Sequence, residues 1–197
     1  MKTAVFTFGR FNPPTIGHEK LINAVIAVNQ REGGTAFIYG SHTQDSRKNP
    51  LTHKQKFKYL KEMYSSKKKI FQSRSAAKNP LEAADELSGK YNKLIMIAGS
   101  DRVSEFKSLL NTYNGKKGGH GSYEFEEIEV KSAGERDPDA DGASGMSASK
   151  MRKAATQGDF EAFQMGASNE LNTKDKKDMM NEVRKGLKLD AIREEMR

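Results

Sequence analysis

Residues 7–26 read TFGRFNPPTIGHEKLINAVI. Two Gly, an Arg, an Asn, two Pro, a Thr and a His stand between an apolar run and a segment with helical periodicity. Upstream, TAVFTF (3–8) is short, β-branched and aromatic, the composition of a buried strand. Downstream, Leu21, Ile22, Val25, Ile26 and Val28 recur near helical spacing as far as Gly33-Gly34. A strand, a furnished turn and a helix present backbone N–H groups at a helix N-terminus, which attracts anions. Thr15 and His18 are three residues apart, so hydroxyl and imidazole can address one ligand. Arg10 adds a planar fork suited to phosphate. The plainer reading is an ordinary strand-to-helix turn in which His18 caps the helix and packs locally.

The rest of the chain repeats the alternation. TAFIYG (35–40) reads as a second strand, and Thr52 is placed to cap a helix over HKQKFKYLKEMY. KIFQ (69–72) is a candidate short strand. NPLEAADELSGKY opens with Asn and then Pro, a strong helix start. KLIMIAGSD (93–101) is a clear strand, RVSEFKSLLNTY an amphipathic helix, and YEFEEIEV (123–130) a more exposed strand. Strand then helix, repeated, predicts an α/β fold: a Rossmann-like, doubly wound parallel sheet of about five strands. In such sheets ligands bind at the carboxyl ends of strands. The expected organisation is one domain over 1–155 and a helical extension over 156–197, with Met179, Met180, Val183, Leu187 and Leu189 available for packing.

The 197 residues include no cysteine, so disulfides and thiolate metal sites are excluded. The N-terminal apolar stretch is too short for a signal peptide and nothing approaches a membrane span. A soluble, cytoplasmic protein is expected. The formal net charge of +8 is local in origin. Eleven of the 34 Lys or Arg, but only two of the 26 Asp or Glu, fall in residues 41–80. Such a patch suits a polyphosphate substrate or a nucleic-acid backbone, or serves as a solvated lysine face.

Two further stretches bear on chemistry. In GMSASKMRKAA (145–155), Ser147 and Ser149 precede Arg152 by five and three residues. At a helix start, two hydroxyls and free N–H groups can bind phosphate oxygens, with Arg152 one turn on. A capping serine beside a surface arginine is the simpler alternative. DPDADG (137–142) matches the first half of a calcium-binding loop, but the twelfth position, where a bidentate Glu is needed, is Ala148. No metal site is expected there.

GRFNPPTIGH resembles the TxGH/HxGH box of the cytidylyltransferase-like nucleotidyltransferases. That superfamily includes nicotinamide mononucleotide adenylyltransferases, pantetheine-phosphate adenylyltransferases and glycerol-phosphate cytidylyltransferases. SASKMR is similar to its second box, SxTxxR, with Ser149 for Thr. SRKNPLTHKQKF (46–57) resembles its NPLT or NPFT loop, and IAGSDRVSEF (97–106) its Gly-x-Asp segment. The resemblance spans residues 3 to about 155. It implies catalytic roles for His18, Thr15, Arg10 and Lys48. It implies nucleotide contacts from Phe8, Gly9, Gly17, Asp101, Ser147, Ser149 and Arg152. Arg47, Asn49, Lys56 and Gly99 are then candidates for the acceptor. Asn49 either orients that substrate or caps its turn, and Asp101 either binds ribose or base or caps the following helix. The implied reaction transfers AMP from ATP, with magnesium, to a phosphorylated small molecule. Nicotinamide mononucleotide is the first choice because of Arg10 and the KNPLT loop. Cytidylyl transfer and a pantetheine-phosphate acceptor are the alternatives, and assembly into homo-oligomers is common among relatives. A nucleic-acid-binding module built on residues 41–80 is the non-enzymatic rival.

Overall fold

The computed structural model of the protein describes residues 1–134 and 146–188. The acidic run DPDADG therefore lies outside the described residues, as does Leu189. The chain gathers into two compact units. The first comprises Met1–Gly9, Lys20–Ser41 and Ile70–Arg136. The second comprises Arg10–Glu19, His42–Lys69 and Asp137–Arg197.

The first unit holds a four-stranded sheet of β1 (Thr3–Gly9), β2 (Thr35–Gly40), β3 (Lys93–Ala98) and β4 (Glu127–Ser132). Its order is β2-β1-β3-β4 and every pairing is parallel. The chain moves from β1 outward to β2, then returns across β1 to β3 and continues to β4. The direction of winding thus reverses between β1 and β3, the switch point of a doubly wound sheet. β1 is buried from Thr3 to Thr7 because it lies between two strands and is covered on both faces. One face carries Ala4, Phe6, Tyr39, Leu94, Met96 and Ala98. They pack with Ala83, Ala84 and Leu87 of α3 (Pro80–Leu87) and with Phe106 and Leu110 of α4 (Val103–Tyr113). The alternate residues Val5, Thr7, Ile38, Ile95 and Ile97 face the other way. Helix α1 (Ile16–Glu32) serves that second face. It buries Ile22, Val25 and Val28, and Glu32 at its end lies 3.7 Å from Lys93 and 3.4 Å from Lys131.

Two elements differ from expectation. KIFQ forms no strand: Ser65–Ile70 is a 3₁₀ turn, and Phe71 makes a single parallel bridge to Ile38. With one bridge only, this segment adds no strand, and the sheet has four strands among the described residues. The last strand begins at Glu127 rather than Tyr123. Tyr123 and Phe125 are buried in the core ahead of it, held by the Tyr123 hydroxyl on Leu110 O (2.5 Å) and by Asn114, whose amide bonds both backbone groups of Phe125.

The second unit is helical. α2 (His53–Met63) starts in a capping box: the Thr52 hydroxyl accepts from Gln55 N, and Thr52 N donates to Gln55 Oε1. α5 (Ala148–Thr156), α6 (Phe160–Gly166) and α7 (Thr173–Gly186) are capped by Ser147, Asp159 and Asn172. Met179, Met180 and Val183 of α7 are buried. The Tyr59 hydroxyl of α2 donates to Glu182 at 2.6 Å, and Arg184 donates to Ala155 O at the end of α5. A Cβ at Gly186 would strike the carbonyl of Pro50, so α7 reaches the loop before α2 only because that residue is glycine. Among the described residues no helix is long and apolar enough to cross a membrane.

Candidate active site

The turn 10–18 has two layers of order. Phe11 takes a left-handed conformation (φ 48°), is wholly buried, and meets the His18 ring edge to face at 4.9 Å between centroids. Thr15 and His18 then close a reciprocal cap at the start of α1. His18 N donates to Thr15 Oγ1 at 3.3 Å, and Thr15 N donates to His18 Nδ1 at 2.9 Å. This is the logic of the capping box with imidazole in place of a glutamate or glutamine. It explains the spacing of three. Because Nδ1 accepts a backbone N–H, it carries no proton, so the ring proton sits on Nε2. Gly17 leaves the Thr15 hydroxyl room: a Cβ there would lie 3.3 Å from it.

The loop before α2 is organised around Asp45. One carboxylate oxygen accepts from the backbone N–H groups of Arg47 (2.9 Å), Lys48 (2.8 Å) and Asn49 (3.2 Å). The other accepts from the Asn49 side chain at 2.8 Å. These bonds, that from the Asn49 amide foremost, hold the Asp45 carboxyl well below the usual carboxylate range. Asn49 is buried and its amide nitrogen ties the loop, so it caps the turn; its Oδ1 is buried without a partner. The side chains of Arg47 and Lys48 are exposed. Lys56 is fully buried on α2 beside Phe57, and burial pushes its ammonium down to about 8. The structure thus seats Lys56 within the helix's buried side rather than with the exposed cations of the loop.

Ser147 is the N-cap of α5 and accepts from Lys150 N at 3.1 Å, while Ser149 is exposed in the first turn. Arg152, half-buried, donates to the carbonyl of Asn12 at 2.8 Å. Burial lowers its pKa, the Asp45 carboxylate opposes that, and the positive charge of Arg10 adds to it. Arg10, Arg152 and Asp45, from three distant parts of the sequence, are therefore electrostatic neighbours. Asn12 escaped the sequence reading. It is 1% exposed, and its amide takes both backbone groups of Leu51: Leu51 N donates to Oδ1 at 2.8 Å and Nδ2 donates to Leu51 O at 3.0 Å. The only sequence signal was an amide in a turn already crowded with special residues.

Phe8, Gly9, Gly99 and Asp101 belong to the first unit. The half-buried Phe8 and Gly9 end β1, and Gly99 follows the end of the neighbouring β3, so these residues flank the switch point. Asp101 is exposed in a 3₁₀ turn, Ser100–Arg102, and does not cap α4, whose N-cap Arg102 makes no side-chain cap bond. A Cβ on Gly99 would lie 2.9 Å from the Asp101 carboxylate. Among the described residues no group of three or more His, Asp or Glu is arranged to hold a metal ion.

The fold thus joins a parallel, doubly wound sheet to a capped turn at the start of α1 and a serine-capped helix bearing Arg152. A family model described as cytidylyltransferase-like matches residues 6–154, and the chain belongs to that family. Comparison with curated proteins gives no match. Membership supports nucleotidyl transfer between a nucleotide and an acceptor as the general activity.

Proposed function

We propose that the protein transfers AMP from ATP to a phosphorylated small molecule and releases pyrophosphate, with nicotinamide mononucleotide the first acceptor to test. One observation carries this reading. Arg152 of the second box bonds the carbonyl of Asn12 inside the first box, 140 residues away, with Arg10 alongside. Burial chiefly, and the positive charge of Arg10 to a lesser degree, weigh against Arg152's charge, a cost that a phosphate anion would relieve.

In this scheme His18 Nε2–H and the Thr15 turn face the reacting phosphate, and Arg10, Arg152 and Ser149 hold the remaining charge. Arg47 and Lys48 receive the acceptor phosphate. Asp45 fixes their backbone but leaves their side chains available. Rate enhancement comes from positioning and from donors aimed at developing charge, without a covalent protein intermediate. Magnesium, bound with the nucleotide, would neutralise phosphate charge. Lys56, being buried, is given no substrate contact.

The test is a pyrophosphate-release screen of ATP and CTP against nicotinamide mononucleotide, phosphopantetheine, flavin mononucleotide, glycerol phosphate and sugar phosphates. Release with ATP and nicotinamide mononucleotide above the other pairs is expected. Release with CTP alone transfers the assignment to the cytidylyl class, and no release with any pair refutes it. A second reading rests on the exposed Lys54, Lys58 and Lys67–69, which suit a nucleic-acid backbone. Filter binding over a salt series decides it.

A further inference from the structure

We propose that Asn12 is a positioning residue that holds the nucleotide turn, the acceptor loop and the α5 helix in a single register. The proposal rests on the transferase reading of those three segments. A side-chain amide has the donor and acceptor pattern of a peptide group. Asn12 spends both on one residue, Leu51, whose N–H and C=O belong to successive peptide groups, so rotation and sliding of the loop are both opposed. Its own backbone carbonyl receives Arg152. One buried residue thus touches all three segments that carry phosphate-binding candidates: Arg10, Thr15 and His18 flank it in sequence, Arg47, Lys48 and Asn49 precede Leu51, and Arg152 belongs to α5.

The residue type is decisive. Aspartate would keep an acceptor for Leu51 N but set a negative oxygen against the Leu51 carbonyl. Alanine would leave both backbone groups of a buried residue unpaired, a situation that drives local rearrangement. Because reacting groups must sit within a fraction of an ångström of their productive geometry, a shift of about 1 Å between the two loops lowers turnover about 100-fold. The fold supplies its own control. Asn114 makes the same two-point clamp on Phe125 (3.0 and 2.9 Å) in the sheet-bearing unit, to which none of Arg10, Thr15, His18, Arg47, Lys48 and Arg152 belongs.

The experiment compares Asn12→Ala, Asn12→Asp and Asn114→Ala in the full chain. Melting temperature, amide hydrogen exchange, kcat and the KM for ATP are measured. For Asn12→Ala, exchange is expected to quicken at least tenfold, both across residues 47–51 and at Thr15 and His18. Its kcat should fall about 100-fold with the KM for ATP within about threefold of wild type. Asn12→Asp should keep slow exchange at Leu51 and lose about tenfold in kcat; it also serves if the alanine variant does not fold. Asn114→Ala should lose thermal stability yet keep kcat within about twofold. Equal kcat losses in the Asn12 and Asn114 variants overturn the proposal, because the residue is then structural only. So does a KM for ATP that rises in step with the fall in kcat, or faster exchange confined to Leu51. If the wild type releases pyrophosphate with no acceptor, the transferase reading fails. The exchange pattern still decides the clamp: acceleration across both stretches supports it, and acceleration at Leu51 alone defeats it.

Discussion

Replacing His18 by alanine and, separately, by glutamine divides the histidine's two duties. The ring gives Nδ1 to Thr15 N at 2.9 Å and is left with its proton on Nε2. Alanine removes both. Loss of a helix-capping acceptor costs about 1 kcal/mol, and for a chain of this size each kcal/mol lowers Tm by about 2–4 °C. Glutamine at this third helical position is the ordinary partner of a threonine cap, so its Oε1 can accept from Thr15 N and restore most of that stability. It cannot place an imidazole N–H on the reacting phosphate. Removing one donor of that kind costs about 2.7–4 kcal/mol of transition-state stabilisation, about 10²–10³ in kcat. The alanine variant should therefore melt a few degrees lower and the glutamine variant close to wild type, while both lose that factor in pyrophosphate release. Scanning calorimetry and a coupled pyrophosphate assay with the best acceptor pair measure the two effects. A glutamine variant within about fivefold of wild-type kcat would refute the role given to Nε2–H, and an unchanged Tm in the alanine variant would refute the cap.

Two perturbations test the second unit further. Lys56 is buried with its ammonium pushed down to about 8, against 10.5 ordinarily. Between those values the unfolded chain binds a proton that the folded chain does not, so this residue makes stability rise with pH by about 3 kcal/mol across the window. Below pH 8 both states are protonated and the cost of burying the charge is fully present. Urea unfolding of wild type and Lys56→Met from pH 7 to 10.5 should show the variant's advantage at pH 7 disappearing by pH 10.5; parallel profiles would sink the idea. Gly186→Ala would ordinarily favour a helix by up to about 1 kcal/mol. Here the new Cβ meets the Pro50 carbonyl, a backbone atom, so a loss of about 1–3 kcal/mol is expected in thermal unfolding, and a gain in Tm would contradict the contact.

The motifs led to the right family because their spacing is itself physical. Thr15 and His18 stand three apart since that is the reach of a reciprocal helix cap, and Asn79-Pro80 and Thr52 start helices by local hydrogen bonds alone. Where pairing depends on distant partners, local pattern was less informative. Tyr123 and Phe125 alternate like a strand, yet they are core residues held by Asn114 and Leu110. KIFQ has a strand's composition and only one bridge.

The site shows the same division. Residue types and intervals along the chain determined where the capped turns fall and that the sheet is parallel and doubly wound. Only the tertiary structure revealed that Asp45 occupies the backbone donors of its own loop, that Lys56 is buried, and that Asn12 clasps Leu51 and Arg152. The physical reason is range. A cap or a strand's alternation is settled within a few residues, whereas the buried Asn12 amide and the half-buried Arg152 guanidinium acquire their roles from groups 39 and 140 positions away, which folding alone brings within hydrogen-bonding distance.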